Sequence, residues 1–152
     1  METTGETLKN ALQRSDPFGQ LKCDMTKSCM VCKGGRGQCK RENITYEIRC
    51  SECKCIYVGE TSRTGHYRGQ QHTKALNKKD PKLVLWQHTT QKHNAQDPPP
   101  QYNMIITSSQ KTALERQITE AVKINKVPDE YRLDTREEWG HTRLIRASLI
   151  HR

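Results

Sequence analysis

Two apolar–polar rhythms divide the middle of this chain. Over residues 44 to 49, Ile44, Tyr46 and Ile48 alternate with Thr45, Glu47 and Arg49, the period of two expected of a strand with one buried face. Residues 55 to 60 (CIYVGE) are rich in strand formers and close on a glycine, so they read as a second strand. The short connection between the two predicts an antiparallel hairpin. Residues 62 to 77 read as a helix with Arg63, Arg68, His72 and Lys74 as polar members, and Pro81 marks the start of another that carries Leu83, Val84, Leu85 and Trp86 and leads to His88 and His93. Beyond the loop at 95 to 100 (AQDPPP), residues 102 to 107 (YNMIIT) are a third strand. Residues 111 to 126 form a helix with Leu114, Ile118 and Ala121/Val122 on one stripe, ended by Pro128. The pattern predicts an α/β domain of the α+β kind, a small, mainly antiparallel three-stranded sheet flanked by helices.

The periphery reads differently. Residues 1–20 hold only a weak helical patch around Leu8, Ala11 and Leu12 and then a turn, and read as a flexible lead-in or linker. Residues 21–42 form a cysteine-rich module, 43–135 the main domain, and 136–152 a docking helix or tail carrying Trp139, Leu144, Ile145, Leu149 and Ile150. No internal repeat is visible.

Composition adds a constraint. Only 32% of the 152 residues are hydrophobic and 5% aromatic, lean for a self-sufficient core. Seven cysteines suggest what supplements it. The chain shows no charged-then-apolar leader and no apolar run approaching about 18 residues, so an intracellular, non-membrane protein is expected, with metal ligation favoured over disulfides. Cys23, Cys29, Cys32 and Cys39 are spaced x5, x2 and x6 with Gly34, Gly35 and Gly37 between the last two, where a chain wrapping a metal needs turns of positive φ. Almost nothing in this segment could form a core, so a structural zinc held by all four thiolates is expected to order it as a zinc knuckle. Cys50, Cys53, His88 and His93 have the residue types and half-site spacing of a second zinc, stapling the hairpin turn to the following helix. Cys55 is either a buried thiol or a rival ligand for Cys50 or Cys53. His66, His141 and His151 read as surface residues.

Lysine and arginine number 26 against 17 acidic residues, a formal charge of +9. That suits a phosphate-bearing partner without identifying one.

Tyr46, Tyr57-Val58-Gly59, Arg68, His72 and Glu120 stand in the order and at the spacing of the GIY-YIG nuclease superfamily. More narrowly, the chain resembles the endonuclease domain of Penelope-like retroelements, which also place Cys-x-x-Cys between the tyrosine motifs and paired histidines after the first helix. The likeness covers roughly residues 23 to 128. It departs at the first motif, where Ile44-Thr45-Tyr46 lacks the glycine, and at Leu133-Asp134, where many members have an asparagine. Asp134 either substitutes for it or leaves that contact out.

The resemblance implies a nuclease-like fold and a Mg²⁺- or Mn²⁺-dependent endonuclease that nicks target DNA. A reverse transcriptase carried upstream in the full protein would prime from the nick, with element RNA a possible further partner and the nucleus the expected location. Glu120 would hold the catalytic ion, which supplies charge neutralisation at the phosphate. Arg68 offers a guanidinium fork to the developing charge. His72, four residues on, shares its helix face and would position or deprotonate water or anchor a phosphate. The family's proposals give Tyr46 the role of base and let Tyr57 orient water or phosphate. Arg63, Lys74 and Lys78 are expected backbone contacts to DNA. The competing readings are a non-catalytic nucleic-acid-binding zinc module on the same scaffold and a host repair or recombination nuclease.

Overall fold

Alternation along the first strand decides the architecture. In the computed structural model, which describes residues 23, 28–34, 37–96 and 98–134, β1 (Ile44–Cys50) is the centre of a three-stranded antiparallel sheet. β2 (Ile56–Thr61) and β3 (Tyr102–Ser109) flank it in the order β2-β1-β3. Three helices pack on this sheet: α1 (Gly65–Asn77), α2 (Val84–Lys92) and α3 (Ala113–Lys126). The predicted α+β class and hairpin are both present. The lead-in at 1–20 and the tail at 136–152, with Trp139, His141 and His151, lie outside the described residues.

Each face of the sheet buries its own cluster. Ile44, Tyr46, Ile48 and Cys50 point to one side and pack with Tyr57, Leu85, Tyr102 and Met104 under α1 and α2. Val58 points to the other side and meets Ile124 and Val127 around α3. The cysteine segment does not stay apart from this core. Met30 and Val31 are buried in the first cluster, and Met104 N donates to Met30 O at 3.0 Å. The expectation that residues 21–42 contribute almost nothing apolar is therefore corrected: two side chains inside the Cys-x-x-Cys loop are core residues. Of its glycines, Gly37 takes the left-handed φ of +73°.

Caps account for the shifted helix ends. α1 begins at Gly65, not residue 62, because Thr64 is its N-cap and Thr64 Oγ1 accepts from Tyr67 N at 3.1 Å. α2 begins at Val84; Pro81 lies in the preceding turn, where Asp80 Oδ1 accepts from Lys82 N. α3 begins at Ala113 behind the Thr112 cap, whose Oγ1 accepts from Glu115 N at 3.2 Å. Its buried face is also rotated from the expected stripe. Arg116, Ala121 and Ile124 are buried, while Leu114 and Val122 are exposed. Arg116 is buried with its polar atoms satisfied: its guanidinium donates to Glu60 Oε2, Asn43 Oδ1 and the carbonyls of Gln110 and Lys111, all between 2.9 and 3.1 Å.

The outer edge of β2 is covered by residues after α3. Leu133 N donates to Ile56 O, and Val58 N donates to Asp134 Oδ1 at 3.0 Å. Asp134 thus satisfies an edge-strand amide. Among the described residues no helix is long and apolar enough to cross a membrane.

Candidate functional site

The pairing register brings the tyrosine motifs together. Tyr46 lies opposite Gly59, and Ile48 opposite Tyr57. A bulge in the β1–β3 ladder falls between Thr45 and Tyr46, the kind of irregularity that re-aims a side chain. Gly59 is what lets the phenol lie across β2: a Cβ there would stand 2.5 Å from Tyr46 Cζ and Oη. From the facing helix α1, Arg68 Nε donates to Tyr46 Oη at 3.0 Å, and His72 Nε2 lies 3.2 Å from the same oxygen. Tyr57 meets the His72 ring edge-on at 5.8 Å between centroids. Arg68 and His72 reach one phenol because they are four residues apart on one helix.

Burial sets the protonation states. It lowers His72 to about 4, with the Arg68 charge adding to the effect, so the imidazole is neutral at pH 7. Its Nε2 can then accept the Tyr46 proton while Nδ1 carries its own. Burial also pushes Tyr46 up to about 12. Arg68 opposes that shift by charge and hydrogen bond, and the carboxylates of Glu120 and Glu60 reinforce it. The phenol is therefore a proton donor at rest, not a phenolate. Glu120, half-buried on α3, is within electrostatic reach of Tyr46 although its helix packs on the opposite face of the sheet.

A cavity of ≈ 140 Å³ opens beside this group, lined by Tyr57, Arg68, His72, Lys82 and residues 83 to 85 at the start of α2. Tyr46 is fully buried and contributes through Arg68 and His72. Two neighbours were not legible in the sequence. Lys82 follows Pro81 in a turn without periodicity. Glu60 pairs with Arg116 at 2.9 Å and acts on both Tyr46 and Arg68; its only signal was adjacency to Gly59. Arg63, Lys74 and Lys78 are exposed, and the Arg63 guanidinium lies over the Tyr67 ring at 4.9 Å.

Among the described residues, two Cys/His clusters could hold metal ions. Cys50, Cys53, His88 and His93 have ligand atoms all within 4.8 Å of one another. Cys50 Sγ is 3.5 Å from His93 Nε2, Cys53 Sγ is 3.3 Å from His88 Nε2, and the two Nε2 atoms are 3.2 Å apart. A tetrahedral zinc sets ligand separations of roughly 3.3 to 3.8 Å, and these three, from 3.2 to 3.5 Å, lie at the short end, so the set could hold one ion. His93 Nδ1 faces Glu52 Oε2 at 3.6 Å, the carboxylate support common behind a ligating imidazole. Burial, with His93 and Lys92, lowers His88 to about 4, leaving it in the neutral form that ligates. Cys55 is buried outside this set, with Lys92 Nζ 3.7 Å from its sulfur.

The other cluster comprises Cys23, Cys29, Cys39 and His66, again within 4.8 Å of one another. Three of the four expected thiols are present. Cys32 stands beside Cys29 and Cys39, and burial pushes its thiol up to about 11. His66 is half-buried and turned to the sulfurs, which corrects its reading as a surface residue. None of the seven cysteines is in a disulfide. The chain matches no protein-family model, no curated protein and no solved structure.

Proposed function

We propose that this chain is a divalent-metal-dependent DNA endonuclease of GIY-YIG type, serving as the nicking domain of a Penelope-like retroelement protein. One observation carries the reading: Tyr46, Arg68 and His72 share one hydrogen-bonded oxygen at a cavity that Tyr57 also lines. Arg68 would hold a phosphate oxygen in that cavity, whose lining also includes Lys82. His72 is neutral, with Nε2 accepting the Tyr46 proton, which leaves its Nδ1–H to orient an attacking water or a phosphate oxygen. Glu120, across the sheet and outside the cavity lining, is the carboxylate that would hold Mg²⁺ or Mn²⁺, hard cations suited to oxygen donors; an ion there would neutralise phosphate charge and acidify water. The net charge of +9 favours a polyanionic substrate. Zinc in the two Cys/His clusters would be structural.

A second reading has one observation in its favour. The phenol of Tyr46 is fully buried and pushed up to about 12, as suits a packed core hydroxyl in a module that binds nucleic acid without cutting it. Incubation of supercoiled plasmid with Mg²⁺ separates the two. The wild-type chain should convert it to open circles, and Arg68→Ala and Glu120→Gln should each slow this by on the order of 10²-fold. Equal nicking by all three, or none by the wild type, removes the catalytic assignment.

A further inference from the structure

Five metal-binding side chains converge in front of α1, where a tetrahedral site needs four. Their geometry is not equivalent. The mutually close set is Cys23, Cys29, Cys39 and His66, and Cys32 is outside it. We propose that the N-terminal metal is a zinc held by three thiolates and His66 Nδ1, with Cys32 beside the shell and not in it.

Three independent features point to His66. Its Nδ1 lies 3.3 Å from Cys29 Sγ and 3.9 Å from Cys23 Sγ, bracketing the roughly 3.6 Å between sulfur and nitrogen around one tetrahedral zinc. Its other nitrogen, Nε2, is 3.1 Å from Gln70 Nε2 one helical turn on, which orients the ring with Nδ1 towards the sulfurs. Zinc on Nδ1 requires the Nε2–H tautomer, and Gln70 would then turn its amide oxygen to it. The backbone locks the position as well. His66 N donates to Cys39 O at 2.7 Å, and Gly65 N to Arg41 O at 3.1 Å, so the first turn of α1 is bonded to the turn that carries Cys39 and leads into β1.

The consequence is mechanical. A four-thiolate knuckle would close on itself, whereas a shell completed by His66 ties residues 23 to 39 to α1. Arg68 and His72 follow two and six positions later on that helix. Occupancy of this site then holds the helix that presents them to Tyr46. The inference stands apart from the nuclease reading, because its readout is metal content and ligand type.

Wild-type protein loaded with two cobalt ions decides it without any variant. The thiolate-to-cobalt absorption should correspond to five sulfur bonds, from Cys23, Cys29, Cys39, Cys50 and Cys53, while a shell closed by Cys32 would add a sixth. By native mass spectrometry Cys32→Ser should keep two zinc ions and His66→Ala only one. Six thiolate bonds, loss of an ion from Cys32→Ser, or two ions retained by His66→Ala would each overturn the assignment. If His66→Ala does not fold, the wild-type cobalt spectrum and Cys32→Ser still decide.

Discussion

At position 59 the absence of a side chain carries the geometry. Its neighbour across the ladder is a tyrosine whose ring needs the volume that a Cβ would take, and the contact is with ring atoms that cannot bend aside. Gly59→Ala should lower stability by about 1–3 kcal/mol in urea denaturation and break the Arg68 contact to the phenol; unchanged stability would mean that Tyr46 can swing away freely. His72 gives a pH signature. Its folded pKa of about 4 lies below the ordinary 6.5, so between those values the unfolded chain takes up a proton that the folded chain refuses. That stability is complete above pH 6.5 and lost as pH falls towards 4, on the order of 3 kcal/mol at most. Denaturation series across that range should show a shallower decline for His72→Gln than for wild type, and parallel curves would contradict the burial argument.

Among the elements, α1 matters most, since its start touches the cysteine cluster and its middle faces Tyr46. Its cap is one hydroxyl. Thr64→Ala should cost about 1 kcal/mol and Thr64→Ser almost nothing, read by thermal unfolding; equal loss in both would place the effect elsewhere. The strands were legible because a period of two with β-branched and aromatic residues has few other outcomes. Helix faces were less so. On α3 the apolar residues Leu114 and Val122 are exposed while Arg116 is buried. Hydropathy cannot anticipate that a guanidinium will find a carboxylate, an amide and two carbonyls within reach. The same blindness hid His66, whose ligand partners are 27 or more positions away.

For the whole molecule, lean apolar composition and two Cys/His clusters inside or against the core are one fact seen twice. Structural zinc contributes on the order of 10 kcal/mol to small domains, comparable with the ~5–15 kcal/mol that holds a typical domain folded. Stripping metal with a strong chelator at neutral pH should therefore abolish the cooperative thermal transition, and zinc should restore it. A melting temperature indifferent to chelation would mean that apolar packing alone suffices.

The sequence by itself determined the element order and the hairpin, because local periodicity constrains what neighbouring residues can do. The half-site spacings suggested the second Cys/His set, and the family resemblance, not any period, singled out the tyrosine, arginine and histidine that meet. Tertiary structure alone decided which histidine joins the first cysteines, which face of α3 is buried and how Glu120's field reaches a phenol on the other side of the sheet. Those depend on contacts between distant segments, and such contacts leave no period in the chain.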